Sequence, residues 1–413
     1  MRISSYPRRM ALAGLAVPLA AIALAGCQFG PGTLAVSSAH YSDAVRIAQT
    51  EQLLINLVRL RYRDHPVYLS VTSISTQFEV GASASIDGSI VEAGADVLGL
   101  GGGIEYSERP TITFGILSGD EFEREILEPV SINTIALLAD SGWRVDRVLR
   151  LTVESLNGLR HATSASGPTP SAAPEFRDFL EAVTLLQSLT EAGDVEFEFA
   201  LREKAFSDPI PRSQISGDHL ISAARQGIEF KRAGEGDDYR PTFEERRLVM
   251  RIRARAEDKA NVARLRALLG LDPSLDHYDV VATDDAEQDP LLPRSDRTQL
   301  VLDTRSLQGV LYLLSQGVQP PDADLARRVV TQTRSEDGGV FQWSELLGGL
   351  FQISHSDSRP RDAAVAVRHR GVWFYIADHD ETSKSTFLLL RHLFTLQSGE
   401  RPSIRPVLTL PVG

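Results

Sequence analysis

The sequence predicts an α+β protein built as several small antiparallel sheet-plus-helix units behind an N-terminal tether. Three observations point there. Runs with apolar residues at helical spacing alternate along the chain with runs whose apolar residues recur at every second position. The alternating runs keep one polar parity, as half-exposed antiparallel strands do. Stretches rich in Gly, Ser and Pro punctuate the chain between them. With 413 residues, 42 % of them apolar, the chain can bury real cores, and its length predicts two or three domains.

The N-terminus reads MRISSYPRRMALAGLAVPLAAIALAGC, with Arg2, Arg8 and Arg9 ahead of an uncharged run from Met10 to Ala25. As a helix that run reaches about 24 Å, short of a hydrocarbon core of roughly 30 Å. Pro18 also interrupts it. Residues 1–26 therefore read as a signal peptide rather than a permanent membrane span. Cys27 is the single cysteine, so the chain forms no intramolecular disulfide.

Leu24-Ala25-Gly26-Cys27 resembles the lipobox of bacterial lipoproteins. The resemblance implies that the Cys27 sulfur receives a diacylglycerol, that the chain is cut before it, and that the new amino group is often acylated. Residues 27–40 then become lipid anchor and tether. The membrane is a partner through the N-terminal acyl chains. Gln28, not being Asp, implies the cell outer membrane as the address, with the protein facing the periplasm. Each buried methylene contributes about 0.8 kcal/mol, so two or three chains anchor permanently. Removing residues 1–26 takes away three arginines and no acid, leaving a chain of net charge −12 more acidic still. Nucleic acid is thereby excluded as a partner, because a basic footprint is missing.

Residues 41–160 read as an N-terminal α+β domain. After the tether QFGPGTLAVSSAH (28–40), helical spacing of Ile47, Leu54, Leu57 and Val58 predicts a helix over Ser42–Arg63, stopped by Pro66. Arg59, Arg61 and Arg63 crowd its last turn, where cations suit the negative helix end and form a solvated face. Val67, Leu69 and Val71 share one parity and Ile74, Phe78 and Val80 the other, which predicts a bulge near Thr72-Ser73. Ile104 to Tyr106 and Ile112, Phe114 and Ile116 read as the returning strand. Residues 81–103, rich in Gly, Ala and Ser, are expected to form a mobile loop, since they bury too little to offset their ordering entropy. Their Gly99-Leu100-Gly101-Gly102-Gly103 precedes a strand and is not a nucleotide loop. A capping box at Ser118–Glu121 predicts a helix to Pro129, a second helix spans Ser131–Asp140, and Leu149, Leu151 and Val153 alternate as a strand.

HATSASGPTPSAAP (161–174) reads as a linker. A middle domain, 175–290, opens with a helix carrying Phe176, Phe179, Leu180, Val183 and Leu186 and closed by Gly193. Strand 195–201 sets Val195, Phe197 and Phe199 against Glu196 and Glu198. Strand 246–256 sets Leu248, Met250 and Ile252 against Arg247, Arg251, Arg253 and Arg255. The arginine row is expected to pair with the glutamates rather than to bind an anion. A helix over 258–269 and a loop at 284–289 complete the unit.

The C-terminal α+β domain, 291–413, starts with strand 299–304 and a helix of Leu307, Val310, Leu311 and Leu314. Residues 319–339 are expected to be a loop or mobile arm. DAAVAVRHRGVWFYIAD (362–378) is a hairpin turning at Arg370-Gly371. A helix over 381–397 follows, capped by Gly399, and VLTLPVG closes the chain as a short strand. NLVRLRYRDHPVYLSVTSI, SERPTITFGILSGDEF and WFYIADHDETSKSTF resemble stretches of uncharacterised bacterial envelope lipoproteins. That likeness spans most of the chain and implies no activity.

Motifs for chemistry are missing: there is no G-x-S-x-G, no H-E-x-x-H and no second cysteine. Asp378-His379-Asp380, with His355, His369 and His392 in the same unit, is the densest titratable cluster, but no fixed ligand spacing supports a metal. An acid ahead of a helix is an ordinary N-cap, and Ser383-Lys384 lacks the S-x-x-K spacing. No catalytic, metal or cofactor-binding residue is assigned and no cofactor is expected; the assigned site is lipidation at Cys27. The sequence thus favours a membrane-anchored envelope lipoprotein acting as a non-enzymatic scaffold or assembly factor for protein partners in the cell envelope, with a homo-oligomer allowed. Two alternatives stand beside it: an envelope hydrolase whose site converges only in the fold, and an oligomeric outer-membrane pore using the 67–116 hairpin. Alternation through Ala82, Ala84, Ile86 and Ile90 permits the pore.

Overall fold

The computed structural model describes residues 31–89, 97–117, 119–167, 170, 172–234, 236–253, 259–283, 296–335 and 337–398. Cys27 and the signal region, Ser118, Arg255, the 284–289 loop, Gly399 and the closing strand lie outside them. The fold is α+β. The described residues fall into two compact units, one from residues 31–53 and 67–117, the other from residues 54–66 and 119–398.

In the first unit, helix α1 (Pro31–Arg61, continuing into the second unit) covers residues 31–40, which the sequence assigned to the tether. From Thr33 onward the chain offers Ala, Leu and Val with no Gly or Pro, so nothing local stops the helix that the next turns continue. Gln52 Nε2 donates to the Val67 carbonyl at 2.9 Å where the chain returns. Strands β1 (Leu69–Ser89) and β2 (Val97–Ile116) then pair antiparallel. The register shifts between Val71 and Ser73, the bulge the parity switch predicts. Below that point the ladder is unbroken to Ser89↔Val97. The expected mobile loop is therefore corrected: 81–89 and 97–103 are strand, and only 90–96 lie outside the description. Cross-strand hydrogen bonds are made by the backbone, so Gly, Ala and Ser can continue a register set by bulkier residues. The ribbon's 21-residue strand, at about 3.4 Å per residue, extends roughly 70 Å.

In the second unit, α2 (Asp120–Leu127), α3 (Ile132–Asp140) and α4 (Val145–Thr152) precede β3 (Val153–Leu156) and β4 (Leu159–Arg160). Gly119, without a side-chain cap, precedes α2, and the Ser131 hydroxyl accepts the Thr134 N–H at 3.1 Å to cap α3. Leu149 and Leu151, expected in a strand, lie in α4. Val145, Val148, Leu149 and Thr152 repeat at helical spacing, and all are buried. There follow α5 (Arg177–Ala192), β5 (Val195–Ala205), β6 (Ile210–Pro211), α6 (Gly217–Arg225), β7 (Ile228–Arg232) and β8 (Asp238–Ile252). Then come α7 (Lys259–Leu268), β9 (His277–Ala282), β10 (Gln299–Thr304), α8 (Leu307–Ser315), α9 (Asp322–Ala326) and α10 (Ser344–Leu347). The described chain closes on β11 (Ser354–Ser356), β12 (Ala363–His369), β13 (Val372–Ala377) and α11 (Glu381–Ser398).

One sheet has the order β4-β3-β10-β9-β8-β5, with β6 and β7 also on β8, and β9–β10 is its parallel pair. Its strands come from all three expected domains, so 161–174 does not separate two sheets. The expected linker instead begins in the core: His161, Ala162 and Ala165 are fully buried. Arg305, also fully buried, donates to the carbonyls of Val153 and His161, and the His161 ring stacks on Phe179 at 4.3 Å. Buried carbonyls need donors, and one guanidinium serves two of them. Residues 319–339 are likewise corrected from a mobile arm: they hold α9 and bury Asp324, Val330, Thr331 and Thr333. A second sheet, β11-β13-β12, carries the expected hairpin.

Candidate functional site

The last turn of α1 enters the core of the second unit. Leu54, Leu57 and Val58 are completely buried, which fixes the rotation of the helix. Arg61, three residues beyond Val58, is therefore carried inward with the apolar stripe, not outward with the solvated face expected for it. Its Nη1 donates to Gln316 Oε1 at 2.7 Å and to the Thr331 carbonyl at 3.0 Å. Its Nε is buried and has no hydrogen-bond partner. Burial lowers the guanidinium to about 10, which leaves it protonated at neutral pH. Arg63 stays exposed, although its Nε reaches the Thr331 hydroxyl at 2.7 Å, and Arg59 donates to Asn56 at 3.3 Å.

Around this turn the chain gathers a polar network. The Tyr62 hydroxyl donates to buried Asp324 Oδ2 at 2.6 Å, and Asp324 also pairs with Arg327. Burial, reinforced by that carboxylate, pushes the Tyr62 phenol above its ordinary value. The Arg370 guanidinium sits 4.9 Å from the Tyr62 ring centre and donates to both Asp64 oxygens, at 3.1 and 3.2 Å. His369 Nε2 lies 3.1 Å from Asp64 Oδ2 without hydrogen-bond alignment, and burial lowers its pKa despite the carboxylate.

Beside Arg61 opens a pocket of about 450 Å³. Trp343, Phe341 and Phe351 supply aromatic walls, Val318 and Leu347 aliphatic ones, and Gln316 and Asp380 polar ones. Arg150 braces one wall by donating to the carbonyls of Leu346 and Gly348, at 2.8 and 3.1 Å.

The titratable residues singled out in the sequence are not brought together. Asp380 Oδ1 accepts the Ser383 N–H at 2.9 Å as the cap of α11, and Asp378 takes the Lys384 ammonium at 3.0 Å. His355 Nδ1 faces the Gln319 carbonyl at 3.0 Å, and His392 meets Trp143 edge-on at 5.6 Å. Among the described residues no group of three His, Cys, Asp or Glu side chains is placed to hold a metal. Of the arginine row, Arg251 and Arg253, the latter just past β8, pair across with Glu198 at 3.8 Å and with Glu196, while Arg247 pairs with Glu245 on its own strand at 2.8 Å. Arg61 and the pocket were missed because a basic helix end ordinarily points to solvent. The signal that finds them is positional, since Arg61 continues the Leu54, Leu57, Val58 stripe.

No family model, curated protein or solved structure matches this chain.

Proposed function

We propose that the chain is an envelope lipoprotein, anchored to the outer membrane through Cys27, that works as a non-enzymatic scaffold for protein partners. The β1–β2 ribbon is its assembly element. The observation that carries this reading is the register of that ribbon. Val80 is paired with Tyr106, Ala82 with Ile104, Ala84 with Gly102, Ile86 with Leu100 and Gly88 with Leu98. Opposed residues share a face, so between Val80 and Gly88 one face of the ribbon carries uncharged, mainly apolar positions, up to the Phe78–Glu108 pair. The other carries Glu79/Ser107, Gly81/Glu105, Ser83/Gly103, Ser85/Gly101 and Asp87/Gly99. Among the described residues β1 and β2 pair only with each other. A two-stranded ribbon is marginal in water, and both of its edges are templates for further strands. A partner that adds strands or covers the apolar face completes it.

A second reading is favoured by the length of that patterned stretch. Val80 to Gly88 and Leu98 to Tyr106 are each about nine residues, near the 9–11 that a tilted strand needs to cross a bilayer. Several copies side by side then close a barrel, apolar positions outward and Glu79, Glu105 and Asp87 inward. The hydrolase alternative has no comparable observation behind it.

Cross-linking of the full chain in its native envelope, followed by reconstitution into liposomes, separates these readings. The scaffold predicts a cross-link from the ribbon to a different envelope protein and silent liposomes. The pore predicts a ladder of homo-oligomers and ion conductance. A ribbon that cross-links to nothing in the envelope removes both. Ser83→Pro, which puts a proline inside β1 opposite Gly103, is expected to weaken whichever assembly forms and to leave the thermal unfolding of the second unit in place.

A further inference from the structure

We propose that the pocket beside Arg61 is a binding site for a carboxylate carried on an apolar body, the end of a peptide or a small organic acid. Four observations converge on it. Arg61 is only 7 % exposed, yet among the described residues no carboxylate pairs with it. A buried charge without a counter-charge is costly, and a bound anion removes that cost. Both hydrogen bonds of Arg61 leave from Nη1, and Nε has no acceptor. Arg61 lines the pocket, and a carboxylate there accepts a charge-assisted hydrogen bond from its guanidinium. The cavity, about 450 Å³, is of the size that encloses a small ligand.

The rest of the wall sets what the anion is attached to. Trp343, Phe341 and Phe351 present aromatic surface, which favours a hydrocarbon or aromatic body over a sugar or a phosphate ester. Asp380 lines the same pocket, with Oδ1 already accepting the Ser383 N–H. Gln316, held by donating to Tyr312 and Ser315 while accepting from Arg61, fixes the guanidinium plane. The site is independent of the ribbon and does not rest on the scaffold reading.

Calorimetry on the full chain in nonionic detergent tests the proposal with matched probes. These are 3-phenylpropionate against 3-phenylpropanamide, and N-acetyl-Ala-Leu with a free carboxylate against its amide. Each acid is expected to bind at least tenfold more tightly than its amide; the tighter acid identifies the organic acid or the peptide end as the better source. Arg61→Gln is expected to abolish the preference and Arg61→Lys to keep part of it. The acids should also change Trp343 fluorescence, a signal absent from Trp343→Phe. Equal binding of acid and amide, or no binding of any probe at 10 mM, overturns the proposal. So does a preference that a folded Arg61→Gln retains, or one without the Trp343 signal. Should Arg61→Gln fail to fold, the acid-to-amide ratio and the Trp343 signal on the unaltered chain still decide.

Discussion

Tyr62 and His161 show how much a single buried polar atom controls here. The Tyr62 hydroxyl is a donor to Asp324, a carboxylate only 4 % exposed. Tyr62→Phe keeps the ring against Phe374 and Arg370 but leaves that carboxylate one donor short, a loss of about 1–3 kcal/mol. Urea denaturation should show the lower midpoint with an unchanged slope. His161 is held neutral first by burial and then by the Arg305 charge, so its folded pKa lies well below the ordinary value. In the unfolded chain the same ring titrates near 6.5. Its contribution is therefore full above about pH 6.5 and is lost as pH falls, approaching about 1.4 kcal/mol per pH unit for that one proton. The pH dependence of unfolding should show this slope, and a folded His161→Gln should lack it. Gly317 is a third such position. A Cβ there would meet the Phe351 carbonyl at 2.9 Å and the Leu314 carbonyl at 3.2 Å. Neither is a side chain that can swing away, so Gly317→Ala is expected to cost about 1–3 kcal/mol by thermal unfolding.

The β12–β13 hairpin shows what an element takes from purely local chemistry. Arg370 and Gly371 both have positive φ, 49° and 90°, as the two central residues of a type I′ turn require. Gly371 has open space where a Cβ would stand, so its constraint is conformational and not steric crowding by neighbours. Gly371→Val should destabilise the second unit by about 1–2 kcal/mol, seen as a lower midpoint in a denaturant titration. Elements of this kind were legible: the hairpin, the strand 299–304, the helix closed by Gly193 and the bulge before Ser73 all follow from neighbours in sequence. Others were not. In α4, Leu149 and Leu151 copy a strand's parity by coincidence while the wider spacing is helical. The small residues of 81–103 form strands because a ladder started by bulkier residues continues through them. Arg61 is buried by partners just past α8 and after α9, 255 and 270 residues away, which no local pattern announces.

For the whole molecule, the decisive prediction concerns the lipid anchor. Mass spectrometry of the membrane-extracted protein should find the mature chain starting at an acylated Cys27. Cys27→Ser should release the body from the membrane fraction; an unmodified N-terminus would remove the anchored reading and leave the fold untouched. The sheet of the second unit carries a different consequence. Its strand β10 lies between β3 and β9, and Asn157 Oδ1 accepts the Val301 N–H from 144 residues away. Tyr62 waits for Asp324 across 262 residues. Loop closure on that scale precedes any return in contacts, so the unit is built to fold slowly. Its early half cannot finish until the strand at 299–304 has been made. Emerging from a ribosome N-terminus first, the chain holds β3 without β10 while the 142 residues between them are made. Through that interval it depends on whatever keeps nascent chains apart.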